Sequence, residues 1–222
     1  MPIPLIPIII AAAVAAASAA AIIAFNWENI KIFWKGKNLV ILGTTDTGKS
    51  TLHDFLRKGI IREEKKGTKR EKVNKKIYRL EDLEFVLKEG TDFGGQEDYR
   101  AEWAEEIEKS DICFYLFRTD QIYNNNSETI ETVYTHLEFI TNQIKKNNLP
   151  VNLILIGTFS DLIPDFEKLD DSNYQKFEEK IRKNLKDAIR VAKVKPSKIF
   201  IGSLKDRDKA ERLIKEILVR IA

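Results

Sequence analysis

The run Gly43-Thr44-Thr45-Asp46-Thr47-Gly48-Lys49-Ser50 constrains this chain more than any other feature. It fits G-x-x-x-x-G-K-[ST], the phosphate-binding P-loop, and its flanks are those the motif requires. The apolar run Asn38-Leu39-Val40-Ile41-Leu42 precedes it and reads as a buried strand. Thr51-Leu52-His53-Asp54-Phe55-Leu56-Arg57 follows and reads as the start of a helix. Each residue type has a physical reason. Glycines let backbone N–H groups turn inward around phosphate oxygens, and the helix N-terminus adds its positive dipole. Lys49 brings a charge to the β- and γ-phosphates of a nucleotide, and the Ser50 hydroxyl can ligate Mg²⁺. Residues 45–51 (Thr45, Asp46, Thr47, Gly48, Lys49, Ser50 and Thr51) are the expected phosphate cradle.

The rest of the chain alternates strands with helices. Strands are expected at 38–42, 76–80, 83–90, 111–118, 151–157 and 198–202. Helices are expected near 49–57, 97–109, 127–147, 173–193 and 206–221. In the last helix Ala210, Leu213, Ile214, Ile217, Leu218 and Ile221 recur at the spacing of one helical face. This alternation predicts an α/β fold, a mostly parallel six-stranded sheet with helices on both faces and one antiparallel edge hairpin around 80–83. Ligands in such sheets sit beyond the carboxyl ends of the strands. The lone cysteine, Cys113, falls in the apolar run 112–117 and reads as a buried strand residue. With two separated histidines, no zinc site is suggested. A net charge of +3 is too small to argue for a nucleic-acid partner, and none is expected.

The first 25 residues have a different character. No charged side chain occurs before Glu28, and Leu5 to Phe25 is built of alanine, isoleucine, leucine and valine. As a helix it spans roughly 30 Å, about one hydrocarbon core. A cleaved signal peptide would want a basic segment before the apolar run. A buried soluble helix would want a face for solvent. The stretch is therefore expected to be a single-pass transmembrane helix. Phe25, Trp27, Phe33 and Trp34 would form an interfacial aromatic belt. Lys31, Lys35 and Lys37 would place the following domain on the cytoplasmic side. The expected organisation is an anchor over 1–26, a juxtamembrane segment over 27–37 and a nucleotide-binding domain over 38–222.

Three further elements stand at expected strand ends. They are Asp92-Phe93-Gly94-Gly95-Gln96, Thr158-Phe159-Ser160-Asp161 and Ser203-Leu204-Lys205. Together with the P-loop, they make residues from about 37 to 222 resemble the Ras-like small GTPases, with features of the Arf-like branch. The resemblance implies a GTP/GDP-binding switch that uses Mg²⁺ and hydrolyses GTP. Asp92, Gly95 and Gln96 resemble the Asp-x-x-Gly-Gln element. There the aspartate holds Mg²⁺, the glycine N–H meets the γ-phosphate and the glutamine orients the attacking water. Thr158 and Asp161 match the guanine-reading element Asn/Thr-Lys-x-Asp. Ser203, Leu204 and Lys205 resemble the Ser-Ala-Lys element that supports the guanine oxygen. Thr68, the only threonine between the P-loop helix and the second strand, is the candidate switch threonine and third Mg²⁺ ligand beside Ser50 and Asp92.

The chain departs from that pattern at two positions. Phe159 stands where the family has lysine, and Thr45 where efficient hydrolysers often have glycine, so turnover is expected to be slow without an activating partner. The basic segment 58–76 and residues 93–105 are the expected surfaces for an effector or regulator. The first can also be read as a solvated switch loop or as a contact for anionic lipid. The extension 162–172 reads as a solvated insertion or a partner surface. Arg118 reads as an ion-pair partner or as an internal arginine finger. Two alternatives to the switch stay open. One is a constitutively GTP-bound receptor or scaffold subunit, since the architecture also resembles the signal recognition particle receptor β-subunit. The other is a P-loop ATPase.

Overall fold

The computed structural model describes residues 33–58, 76–80, 83–87 and 99–221. The expected transmembrane stretch lies outside these, as do Thr68, Asp92, Gly95 and Gln96. Among the described residues no helix is long and apolar enough to cross a membrane.

Strand β1 (Asn38–Gly43) leads through the P-loop into α1 (Lys49–Lys58). The hairpin β2 (Lys76–Leu80) and β3 (Leu83–Leu87) follows, then α2 (Tyr99–Glu108) and β4 (Ile112–Arg118). A short α3 (Thr119–Tyr123) joins β4 to α4 (Ser127–Lys146). After β5 (Asn152–Thr158) come α5 (Asp171–Asn184), α6 (Lys186–Ala192), β6 (Ile199–Ile201) and α7 (Arg207–Ile221). The six strands form one sheet in the order β2-β3-β1-β4-β5-β6. Only the β2–β3 pairing is antiparallel; β1–β3, β1–β4, β4–β5 and β5–β6 are parallel. The expected strands, the edge hairpin and the mostly parallel sheet are all present.

Strand β4 shows why the sheet forms. Its residues Ile112 to Phe117 are all buried, as a central parallel strand covered on both faces requires. Side chains alternate across the pleat. Cys113, Tyr115 and Phe117 join one core cluster with Trp103 of α2, Leu137 of α4 and Ile181 of α5. Ile112, Phe114 and Leu116 join the other, with Leu52 and Phe55 of α1 and Leu213 and Ile217 of α7. The single cysteine is a free, buried thiol whose pKa desolvation pushes up.

Three expectations need correction. The helix expected over 173–193 is two helices. Asn184 donates from Nδ2 to the Ile122 carbonyl at 2.7 Å, and the chain swings out of helical geometry at Leu185 (φ −96°, ψ 12°). The loop 162–172 is only partly a solvated insertion. Ile163 is buried, and Phe166 packs edge-on against Phe177 at 5.1 Å; Leu162 remains exposed. Finally, Trp34 is not a membrane-belt residue. It is 1% exposed, its Nε1 donates to the Leu218 carbonyl of α7 at 3.2 Å, and its ring meets Phe114 edge-on. Trp34 therefore belongs to the domain core rather than to a juxtamembrane stretch.

A polar pair lies inside the first cluster. Tyr115 Oη and His136 Nδ1 are 3.0 Å apart, and Trp103 stands edge-on to the imidazole at 4.9 Å. Burial, aided by the charges of Lys49 and Arg100, lowers the His136 pKa to about 4. The unfolded chain takes up this proton near pH 6.5, so the folded state is favoured above that pH. The advantage is lost progressively as pH falls from 6.5 toward 4. By pH 5 the loss amounts to about 2 kcal/mol. Urea unfolding at pH 7 and pH 5 should show it, and His136→Gln should flatten the difference while keeping an acceptor for Tyr115.

Candidate functional site

The parallel registers bring four strand ends to one edge of the sheet. Gly43 stands opposite Leu116, Arg118 opposite Thr158, and Gly157 opposite Ile201. Chain segments 44–50, 118–120, 158–161 and 202–205 therefore emerge side by side.

The P-loop begins where β1 and β4 approach most closely. A Cβ on Gly43 would lie 2.4 Å from the Leu116 carbonyl oxygen, and its φ of +149° is one side chains rarely adopt. Asp46 is held at φ 57° and Gly48 at φ 85°, the alternating backbone that turns N–H groups inward. A Cβ on Gly48 would meet Leu204 Cδ1 at 3.1 Å, so the P-loop rests on the Ser203-Leu204-Lys205 segment. Lys49 is largely buried, and its Nζ donates to the Thr44 carbonyl at 2.7 Å. The Thr47 hydroxyl donates to the same carbonyl at 2.8 Å. The lysine ammonium thus reaches back over the loop from the first turn of α1, the place from which it can meet an anion bound there. Ser50 and Thr51 share that first turn. Thr45 and Asp46 form the exposed lip of the loop.

The expected base-reading residues come together beside it. Thr158 is fully buried. Its hydroxyl lies 2.8 Å from the Thr47 carbonyl and 3.1 Å from the Phe117 carbonyl, its single proton shared between these two acceptors with the shorter contact to Thr47. One side chain thereby ties the end of β5 to the P-loop and to β4. Beyond it the chain turns sharply. Phe159 takes a left-handed conformation (φ 60°, ψ 30°) and a single 3-10 turn follows over Ser160–Leu162. Ser160 N–H donates to the Gly202 carbonyl, which sets Asp161 beside Ser203. The Ser203 hydroxyl donates to Asp161 Oδ1 at 2.5 Å and accepts from the Lys205 N–H at 3.1 Å. The aspartate is thus held in one orientation by a residue from another loop.

Arg118 occupies the end of β4 in the same group. Its Nε and Nη2 form a fork with the two oxygens of Asp120, at 2.8 and 2.5 Å. Its guanidinium carbon lies 4.2 Å from the centre of the Phe159 ring. The hydrogen bond to Asp120 raises the Arg118 pKa, partial burial opposes this, and the charges of Asp46 and Asp161 act upward with Asp120. Of the two readings of Arg118, the ion pair is the one present. The stack on Phe159 was missed in the sequence, although an aromatic in place of lysine next to a strand-end arginine is its signal.

One expected partner surface, 93–105, is only partly among the described residues. Within 93–105 the described residues begin at Tyr99, and Trp103 is fully buried; Arg100, Ala101 and Glu105 are exposed. Of the expected site residues, 45–51, 158–161 and 203–205 are assembled at one place. Thr68, Asp92, Gly95 and Gln96 lie outside the described residues.

No curated protein sequence gives a significant match to this chain. The sequence model of the Ras family, small GTP-binding switch domains, matches residues 38–221, from the first residue of β1 to the end of α7. The P-loop, the clamped Asp161 and the sheet order all lie within that match, and the chain belongs to the Ras family.

Proposed function

We propose that this chain is a membrane-anchored small GTPase that binds GTP and GDP, hydrolyses GTP slowly and acts as a molecular switch. The observation that carries the guanine assignment is the clamped Asp161 at the rim of the P-loop. An ionised carboxylate is an acceptor only. Guanine presents N1–H and an exocyclic amine side by side, two donors that match it. Adenine presents an acceptor nitrogen at the corresponding position, which a carboxylate repels.

The residues present fit a Mg²⁺-nucleotide. The loop turns at Gly48 with φ 85°, Lys49 supplies the charge, and the hydroxyl of Ser50 in the first turn of α1 is the kind of oxygen ligand that suits a hard cation. Ser50, with Thr68 and Asp92, would hold Mg²⁺, which when bound offsets phosphate charge. Hydrolysis is in-line attack of a water oriented by Gln96. A bond forms from the water oxygen to the γ-phosphorus, and the bond to the β–γ bridging oxygen breaks, leaving GDP and phosphate. Lys49 stabilises the charge that develops on the phosphate oxygens. Effectors or regulators would engage segments 58–76 and 93–105. Residues 5–25 would span the membrane, with the nucleotide domain on the cytoplasmic side.

Titration with labelled GDP and ATP tests nucleotide choice. Asp161→Asn puts a partial donor against the guanine donors and removes a charge-assisted pair worth about 1.5–3 kcal/mol, so GDP affinity should fall at least about tenfold. Unchanged binding, or tighter ATP than GDP in the parent, would sink the guanine assignment. Single-turnover hydrolysis tests the switch. Gln96→Leu should bind GTP normally and hydrolyse it far more slowly; equal rates would favour a constitutively GTP-bound scaffold. Membrane fractionation tests the anchor. Removing residues 1–26 keeps Trp34 and should move a folded, nucleotide-binding domain into the soluble fraction. A full-length chain that stays soluble without detergent refutes the anchor.

A further inference from the structure

The base-reading element of this chain lacks the lysine that its resemblance to the family implies at position 159, and a phenyl ring carries no charge to replace it. The surroundings of Phe159 show where the charge has gone. Its backbone sits at φ 60°, a conformation uncommon for a bulky residue, and the 3-10 turn Ser160–Leu162 follows directly. Strand register places Arg118 opposite Thr158, one residue from that ring. The guanidinium carbon lies over the ring, 4.2 Å from its centre, inside the range of a cation–π contact. Its edge is held by both oxygens of Asp120, in the first turn of α3. The guanidinium and its Asp120 partner are each more than four-fifths shielded from solvent, so the fork is stiffer than a surface pair.

The local charges make this position consequential. Asp46 lies on the P-loop lip, Asp161 is the carboxylate held by Ser203, and Asp120 stands between them in sequence and beside Arg118 in space. Three carboxylates around a site for a polyanionic ligand would oppose its entry. Arg118 is the cation that all three act upon.

We propose that Arg118 and Phe159 together replace the missing lysine, with Phe159 as the apolar wall for the purine and Arg118, oriented by Asp120, as the fixed positive charge between the P-loop and Asp161. The assignment rests on the guanine reading of this same site. Arg118 is a positioning residue in it, acting on the base through Phe159 and on the phosphate side through Asp46. The pair is a coupled unit: an arginine without the ring loses its plane, and a ring without the arginine loses its backing.

The test uses the full-length chain in mild detergent and fluorescent GDP, reading affinity and dissociation rate, with thermal melting to confirm folding. Arg118→Gln and Phe159→Ala should each weaken GDP binding about tenfold, within the range of a shielded cation–π contact. The double variant should be little worse than either single one. Phe159→Trp should retain parental binding, because the plate is kept. Phe159→Lys, which restores the family residue, should weaken binding while Arg118 is present, since two cations then meet. Combined with Arg118→Gln it should recover. If Arg118→Gln misfolds, Arg118→Lys, which keeps the charge without the fork, should bind at an intermediate level. Parental binding by Arg118→Gln and Phe159→Ala, additive losses in the double variant, or improved binding by Phe159→Lys alone would each overturn the pairing while leaving guanine binding intact. A parent chain that prefers ATP would instead remove the guanine reading on which the pairing rests.

Discussion

The buried hydroxyl of Thr158 is the contact on which the geometry of the whole site depends. It reaches from the last residue of β5 to the Thr47 carbonyl in the P-loop and to the Phe117 carbonyl in β4. A backbone carbonyl inside a protein must find a donor, and within the same loop the Thr44 carbonyl is already taken by Thr47 and Lys49. The Thr158 hydroxyl satisfies the Thr47 carbonyl and fixes the distance between two loops that are far apart in sequence. Both the P-loop and the turn after β5 are therefore referenced to the same buried point. Leu204 against Gly48 and the Ser160 N–H to the Gly202 carbonyl add the third loop to the same frame.

That frame stands on a central strand, β4, buried on both faces. Strand β4 alternates its side chains into two separate clusters, so neither layer of helices can shift without disturbing the strand that ends in Arg118. The Tyr115–His136 pair shows how polar groups are tolerated there. The two satisfy each other, and desolvation keeps the imidazole neutral over the physiological range. Lys49 raises the cost of a proton on His136, so the P-loop cation and the core histidine are electrostatically linked. Trp34 extends the second cluster beyond the first strand. Through its bond to Leu218 it fastens the chain entering the domain to the last helix.

The features legible in the sequence were the local ones. The P-loop announces itself because its residues are contiguous and each has a stereochemical reason. The six strands were legible because four of them are continuous apolar runs or sit in regular alternation with helices, and the other two read as a hairpin around a short polar stretch. What escaped depends on distant partners. The break at Leu185 has no glycine or proline to mark it; beside it Asn184 bonds to Ile122, more than sixty residues earlier. Trp34 stands among aromatics and lysines, a composition shared by membrane belts and helix-capped cores, and only the docking of α7 distinguishes them. Phe166 and Ile163 looked like parts of a solvated loop because their partners lie on α5 or in the turn before them. Ser203 and Asp161 were expected together through resemblance, and the hydrogen bond between them supplies the physical reason.

The position of Arg118 carries a consequence for how such a site can vary. A lysine in the base-reading turn brings its charge on the same segment as the aspartate, so the two move together. Here the ring stays on that segment and the charge enters from the neighbouring strand. The wall of the site is then built from two strand ends, and its integrity depends on the β4–β5 register as well as on the turn. Asp120 makes the dependence stricter. It begins α3, whose Ile122 is buried in the core and whose carbonyl receives Asn184. A tilt of α3 would withdraw Asp120, release the guanidinium and uncover one face of Phe159. The base-reading wall proposed above would thus be linked mechanically to the helices on the same side of the sheet. A lysine confined to the turn would not create that linkage.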